Sequence, residues 1–221
     1  LNLENVSVTA SYEAGALLGG GDGGFTITNV HATNVDVTTT AEGLVGGLIG
    51  DIDAEDGFDS LISNVSVTGN VTASGEYSSN VGGLIGMAEA QSSELVIEKS
   101  YADVDITNDT VLDEEGIFSD VGGLIGEIEA DNDYSGGDTA SVVVRDTYAW
   151  GNIEAENSSN VGGLIGRVDV ENDGSDITTF TSVQRSYARG SVTGLAEVGG
   201  LIGQFDQVSD DGGDSYILEN N

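Results

Sequence analysis

The chain has 221 residues, of which 39 are acidic and only 5 are basic, so that its formal net charge is −34. Cysteine is absent, which excludes disulfides, thiolate zinc sites and thiol catalysis. Such a charge disfavours nucleic acid and anionic membranes as partners and favours inorganic cations. No apolar run approaches the roughly 20 residues that span a bilayer, so we expect no membrane insertion.

The first elements in the chain are a V-S-V-T segment at Val6–Thr9 and a glycine motif, A-G-A-L-L-G, at Ala14–Gly19. Both recur along the chain. The motif returns as V-G-G-L-I-G, with starts 31, 36, 40, 40 and 37 residues apart. These five identical copies lie at Val45–Gly50, Val81–Gly86, Val121–Gly126, Val161–Gly166 and Val198–Gly203.

Two further segments accompany each glycine motif. One resembles the opening V-S-V-T, as in V-D-V-T at Val35–Thr38, and alternates apolar with polar residues. The other is rich in β-branched and aromatic residues, as in SVVVRDTYA from Ser141, and is bounded by polar turns. Each repeat is therefore predicted to form about three short strands.

Because one such repeat cannot bury its apolar face alone, neighbouring repeats must stack. The sequence predicts an all-β fold, a β-solenoid of about six coils that forms one elongated domain over residues 1–221. Leu3–Asn5 (L-E-N) reappears as Leu218–Asn220, so we also expect a longer array, or copies that join head to tail. The paired glycines are expected to permit tight corners with positive φ.

The V-G-G-L-I-G hexapeptide with its preceding V-x-V-T strand resembles the GLUG-motif repeats of bacterial and archaeal surface proteins, which include large adhesins and IgA-protease-type proteins. The resemblance covers essentially the whole chain and weakens at Ala14–Gly19, where Ala16 replaces the second glycine. It implies a β-solenoid stalk or adhesin at the cell surface. It supplies no catalytic residues.

Acidic loops follow the hexapeptide strands, and their alternating carboxylates with glycine are similar to calcium loops. None has the EF-hand spacing. The best candidates for a calcium site are Asp131, Asp133 and Asp138; the alternative is a generic acidic surface. Stacked carboxylates repel one another unless ions screen them, which suits molar salt and indicates a halophilic source, a haloarchaeon in particular.

The basic residues are clustered. Lys99, Arg145 and Arg185 each precede a tyrosine by two or three residues in successive repeats. They are predicted to form a short basic ladder that offsets stacked carboxylates, alongside a tyrosine ladder that packs in the core or at a corner. A ligand-binding stripe is the alternative.

The alternation within the hexapeptide strand raises the possibility of an interface. If its leucines point inward, its isoleucines form an exposed ladder that could pair filaments laterally. The alternative is that the glycines bend the strand and bury both residues. The isoleucines concerned are Ile49, Ile85, Ile125, Ile165 and Ile202.

Nothing in the sequence indicates an enzyme. His31 is the only histidine and has no accompanying nucleophile pattern. A polysaccharide-degrading β-helix, the least favoured class, needs several basic residues together to bind an anionic substrate, and the five of this chain are too few. Five N-x-S/T sequons fit a glycosylated surface protein, with candidate sites at Asn5, Asn64, Asn70, Asn108 and Asn157.

The sequence thus predicts an extracellular, non-catalytic surface protein of a halophilic microbe: an adhesin stalk or filament building block. It needs no cofactor, with Ca²⁺ as a possible ligand. The alternative is a calcium-dependent adhesin domain that binds a ligand. Expected partners are further copies of the chain, inorganic cations and cell-surface glycans.

Overall fold

The computed structural model describes residues 1–41, 43–55, 57–75, 79–110, 119–131, 139–172, 179–209 and 215–219. The described residues form an all-β solenoid with no helix. Its strands, in chain order, are β1 (Asn2–Glu4), β2 (Ser7–Ala10), β3 (Thr26–Thr39), β4 (Gly43–Gly46), β5 (Ile49–Ala54), β6 (Ser60–Ala73), β7 (Ser79–Gly82), β8 (Ile85–Gln91), β9 (Glu94–Glu98), β10 (Tyr101–Asn108), β11 (Asp120–Gly122), β12 (Ile125–Asp131), β13 (Ser141–Arg145), β14 (Tyr148–Trp150), β15 (Ile153–Glu154), β16 (Asn160–Gly162), β17 (Ile165–Asn172), β18 (Phe180–Gln184), β19 (Tyr187–Arg189), β20 (Val192–Thr193), β21 (Glu197–Gly199), β22 (Ile202–Ser209) and β23 (Ser215–Glu219).

All paired strands run parallel, and they form three sheets along the solenoid. A thirteen-stranded sheet bends to give two faces. We call the part around β9, β13 and β18 face 1, and the part around β10, β14 and β19 face 2. Face 3 contains β4, β7, β11, β16 and β21, and face 4 contains β5, β8, β12, β17 and β22.

The predicted fold class is confirmed, but the number of coils is smaller than predicted. Five stacked strands on faces 3 and 4 span about 4 turns. The first glycine motif, A-G-A-L-L-G, forms no regular strand. It joins the stack through isolated bridges, such as Ala14 to Val45, and through single backbone hydrogen bonds, such as Leu17 N–H to the Leu48 carbonyl at 2.9 Å. Counting motifs in the sequence therefore overstates the number of regular coils.

Like residues of successive hexapeptides stand directly above one another. Val121 pairs with Val81 on one side and with Val161 on the other. Ile125 likewise pairs with Ile85 and Ile165. This register stacks each apolar row into one continuous core.

The predicted exposed isoleucine ladder is wrong. Ile49, Ile85, Ile125 and Ile165 are 0% exposed, and Ile202 is partly buried against the core. The chain bends between Leu48 and Ile49, whose amides both donate to the same carbonyl oxygen of Leu84, each at 3.0 Å. The bend breaks the alternation, so that leucine and isoleucine both point inward.

The glycines of the hexapeptide act through close packing rather than through positive φ. None of those described lies in the left-handed region. A Cβ added at Gly83 would meet Ala102 Cβ at 2.9 Å and would overlap the carbonyl oxygen of Gly123 in the next coil. Left-handed backbone occurs instead at a corner between faces 1 and 2, at Asn29, Asn64, Lys99, Asp146 and Arg185.

Candidate functional site

The most unusual feature of the described surface is a column of carboxylates on the outer side of face 4. We call it the acid ladder. Side chains along each strand point alternately inward and outward. The parallel register then places equivalent outward positions of successive strands next to one another in a column. The register places six acidic residues in this column: Asp22, Asp53, Glu89, Glu129, Asp169 and Asp206.

A second outward column runs beside the acid ladder, two residues earlier in each strand. Its members are Asp51, Met87, Glu127, Arg167 and Gln204. Arg167 is the only cation in the two columns. Its guanidinium Nη1 donates to Glu127 Oε1 at 2.9 Å, its Nε donates to Asp206 Oδ2 at 3.2 Å, and its Nη2 pairs with Asp169. One arginine therefore joins carboxylates of three successive coils.

Partial burial and mutual repulsion shift several carboxylates of these two columns toward their protonated forms. Burial, reinforced by the charge of Glu89, raises the pKa of Glu129 to about 8 and that of Asp53 to about 7. Burial also raises the pKa of Asp51 to about 6, with Glu13 and Glu89 as the next causes. These carboxylates are consequently expected to take up protons near neutral pH or to require cations.

A buried polar cluster lies where face 3 meets these columns. Asp120 is 4% exposed and Asn160 is 2% exposed, and the Asn160 amide donates to Asp120 Oδ1 at 2.6 Å. Asn80 donates to Glu127 in the same region. Burial raises the pKa of Asp120 to about 6 and that of Glu127 to about 7. Sequence reasoning missed this cluster, although its members on face 3 stand directly before the valine of a hexapeptide.

The predicted calcium ligands are only partly described. Asp131 lies at the end of β12, 7% exposed, and pairs in register with Gln91 and Glu171. Asp133 and Asp138 lie outside the described residues. Within the described part of the chain, no group of three or more acidic or histidine side chains is arranged to hold a metal ion.

The predicted basic ladder becomes two mixed columns, because Arg145 lies one residue earlier relative to its tyrosine than the other two cations do. Lys99, Asp146 and Arg185 occupy equivalent positions at the left-handed corner of three successive coils. Arg185 Nε lies 2.7 Å from Asp146 Oδ1. Arg145 instead stacks on Glu98, with Nη2 2.7 Å from Oε2. Hydrogen bonds from Lys99 and Arg145 lower the pKa of Glu98 to about 2.

The tyrosines form a stacked ladder on the outer side of face 2 rather than in the core. The rings of Tyr101 and Tyr148 are 4.7 Å apart and nearly parallel, and Tyr187 continues the stack at 5.3 Å. In the earlier coils the same column holds Ser66 and His31. The Nδ1 atom of His31 and the Oγ atom of Ser66 are hydrogen-bonded at 2.8 Å. The column is thus polar in the first coils and aromatic in the last three.

Four of the five sequon asparagines are exposed, at positions 5, 64, 70 and 157. Asn108 is only 2% exposed, and its Nδ2 donates to Ser158 Oγ at 2.8 Å. Since a glycan is attached through that nitrogen, the folded chain does not allow glycosylation of Asn108. Modification of the other four stays a prediction.

Comparisons of the chain with protein-family models, with curated proteins and with solved structures gave no match. The described residues include no helix long and apolar enough to cross a membrane.

Proposed function

We propose that the chain is a non-catalytic structural segment at the surface of a halophilic microbe, used as an adhesin stalk or as a building block of a filament. The observation that carries this proposal is the unbroken register of like residues from coil to coil, such as the valines of β4, β7, β11, β16 and β21. Adding a coil to such a stack lengthens the molecule without changing its cross-section. A spacer needs this property.

The charge distribution supports a role outside the cell, in concentrated salt. Side-to-side pairing would press the acidic outer faces of two molecules, each with a net charge of −34, into direct contact, and even molar salt screens charges only beyond about 3 Å. Self-association is therefore expected end to end, where backbone edges can continue the stack, rather than side to side. Such an array would require no cofactor.

Duplication of one coil tests the spacer role. We would insert a second copy of residues 121–160, one 40-residue repeat, after residue 160. A spacer should lengthen by about 5 Å, the distance between adjacent strands, with an unchanged cross-sectional radius in small-angle X-ray scattering. In the control variant, the inserted 40-residue copy has the same composition in scrambled order, and it should not fold as an added coil. An unchanged length or a wider cross-section for the duplicated chain would reject the proposal.

A calcium-dependent adhesin domain is the second candidate, and two neighbouring carboxylates on the outer side of face 4, Asp51 and Asp53, are the observation that favours it. The Oδ1 atoms of Asp51 and Asp53 are buried and have no hydrogen-bond partner in the described part of the chain. Ca²⁺ takes several carboxylate oxygens of this kind. The test is thermal unfolding at constant molar ionic strength, with and without 0.5 mM CaCl₂. A rise of several degrees favours the adhesin domain, and an unchanged midpoint rejects it.

A further inference from the structure

Trp150 is the only tryptophan of the chain, and it stands on the outer side of face 2 with 37% of its surface exposed. Its ring lies 5.0 Å from that of Tyr148, and the two planes are tilted by 40°. The three tyrosine rings, by contrast, are parallel and cover one another's faces. The indole is therefore the ring of this group that is tilted out of the stack, and Tyr187, in the last coil of the stack, is 48% exposed.

Two charged side chains of opposite sign flank Trp150 in its column. Asp103 is its register partner in the preceding coil, and Arg189 is its partner in the following coil. Both side chains are exposed. The indole thus stands between a carboxylate, which accepts hydrogen bonds, and a guanidinium, which donates them.

Arg189 differs from the other four cations of the chain. Lys99, Arg145, Arg167 and Arg185 each make an ion pair with a carboxylate. Arg189 makes none with any described residue, although the chain carries 39 acidic side chains. Its guanidinium is accessible to a ligand.

We propose that Trp150, Asp103 and Arg189 form a binding site for one sugar unit of an uncharged glycan. The C–H face of a sugar ring would pack on the indole, while its hydroxyl groups would donate to Asp103 and accept from Arg189. An aromatic surface with a few placed polar groups is the usual composition of such sites. The tyrosine column runs along the solenoid axis beside the indole and offers ring edges rather than ring faces, so that further sugar units of the glycan would follow that axis.

The charge and size of this surface exclude other occupants. Molar salt screens the net charge of −34 beyond about 3 Å, so the charges at the site itself decide, and the opposite charges of Asp103 and Arg189 offset each other and favour an uncharged ligand. A second copy of the chain would need about 800 Å² of interface on each partner and would therefore have to cover much more of face 2 than these partly exposed rings. The site goes beyond the proposed spacer role and does not depend on it, because the stack of coils alone determines length.

The single tryptophan allows a direct binding test. We would record Trp150 fluorescence of the full chain in molar NaCl with laminarin, galactomannan and dextran, and with alginate as an anionic comparison. At least one neutral polysaccharide should shift the emission to the blue and protect the indole from acrylamide quenching. No change with any of the three, or a stronger response to alginate, would overturn the proposal.

Variants then locate the site by affinity electrophoresis in gels that contain the bound polysaccharide. Trp150→Ala and Arg189→Gln should each weaken binding about tenfold, which corresponds to the loss of one aromatic or charged contact. Phe58→Ala is the matched control, because Phe58 is an exposed aromatic residue (62%) away from face 2. If the gel retarded all three variants equally, the proposal that the glycan binds at Trp150 and Arg189 would be rejected. Their urea midpoints should match that of the unmodified chain, so that lost binding cannot be attributed to unfolding, and a binding failure leaves the coil-duplication result untouched.

Discussion

The hexapeptide glycines offer a matched pair of positions for a test at the residue scale. A Cβ at Gly123 would overlap the carbonyl oxygen of Gly163 in the following coil and would meet Ala149 Cβ at 2.9 Å. Gly200 occupies the equivalent position in the last hexapeptide, where an added Cβ meets nothing within 4 Å. The two residues share sequence context and differ only in whether a coil covers them.

Gly123→Ala should therefore destabilise the chain by about 3 kcal/mol through overpacking. Gly200→Ala should leave the free energy of unfolding within about 1 kcal/mol, since alanine also restricts the unfolded chain. Urea unfolding in molar salt, followed by circular dichroism, measures both. Equal losses would show that the glycines are needed for backbone conformation rather than for close packing.

Arg167 provides a second residue-scale test, because it holds carboxylates that burial has removed from water. Glu127 is 7% exposed and Asp169 is 5% exposed. Arg167→Gln leaves both without a cation and should cost about 3 kcal/mol at pH 8. The loss should shrink at pH 5, where Glu127, whose pKa is raised to about 7, becomes protonated.

The control for this prediction is Arg185→Gln, which breaks the exposed pair with Asp146. Surface ion pairs contribute little to stability, so its urea midpoint should stay close to that of the unmodified chain. A larger loss from Arg185→Gln than from Arg167→Gln would contradict the assignment of Arg167 as the neutralising residue of face 4.

At the scale of the element, two carboxylates of the acid ladder, Asp53 and Glu129, make the stability of the chain depend on pH. Unfolded carboxyl groups titrate near about 4, whereas the folded values are about 7 for Asp53 and about 8 for Glu129. Between these limits the folded chain binds more protons than the unfolded chain, so stability falls as pH rises from about 4 to about 8. The urea midpoint at constant molar salt should accordingly be higher at pH 5 than at pH 8.5.

The double variant Asp53→Asn/Glu129→Gln should flatten this slope and raise the midpoint at pH 8.5. Glu98 acts in the opposite direction in a separate range, since its pKa is lowered to about 2. Its contribution is present above about 4 and is lost as pH falls toward 2. A midpoint that rises between pH 5 and pH 8.5 would refute the account of the acid ladder.

The strands themselves could largely be predicted from the sequence, because the hexapeptide and its flanking segments recur and equivalent residues of successive copies stack in register. The course of the chain between them could not. The segment rich in β-branched and aromatic residues and the V-x-V-T segment were predicted as separate strands, but they merge into one 14-residue strand in β3 and in β6. Each of these strands bends at an asparagine in the left-handed region, Asn29 or Asn64. In later coils Lys99, Asp146 and Arg185 replace asparagine, and the strand divides.

The site was less predictable than the strands, for a physical reason. The pairing of Arg167 with Glu127 and Asp206 joins residues about 40 positions apart, at distances that depend on the length of each coil. The bend that buries Ile125 depends on two amides sharing one carbonyl, which no alternation of side chains reveals. Composition indicated an acidic surface, but only the register shows that its carboxylates form one column.

At the scale of the whole molecule, the spacing of coils determines how the chain responds to salt. Carboxylates of the acid ladder recur on strands about 4.8 Å apart. The Debye length is about 10 Å at 0.1 M salt and about 3 Å at 1 M, so only molar salt screens neighbouring rungs from each other. The thermal midpoint should rise steeply between 0.1 and 2 M KCl and equally with NaCl, because screening does not distinguish the two cations.

A charge-reduced variant separates this effect from a general effect of salt on hydrophobic burial. Asp53→Asn/Glu89→Gln/Glu129→Gln removes three successive rungs on β5, β8 and β12 and leaves the core unchanged. It should melt at a higher temperature than the unmodified chain in 0.1 M KCl and gain less on transfer to 2 M. If both chains gained equally, salt would be acting on apolar burial. A smaller gain for the variant would instead show that repulsion between the carboxylates of the acid ladder causes the dependence of stability on salt.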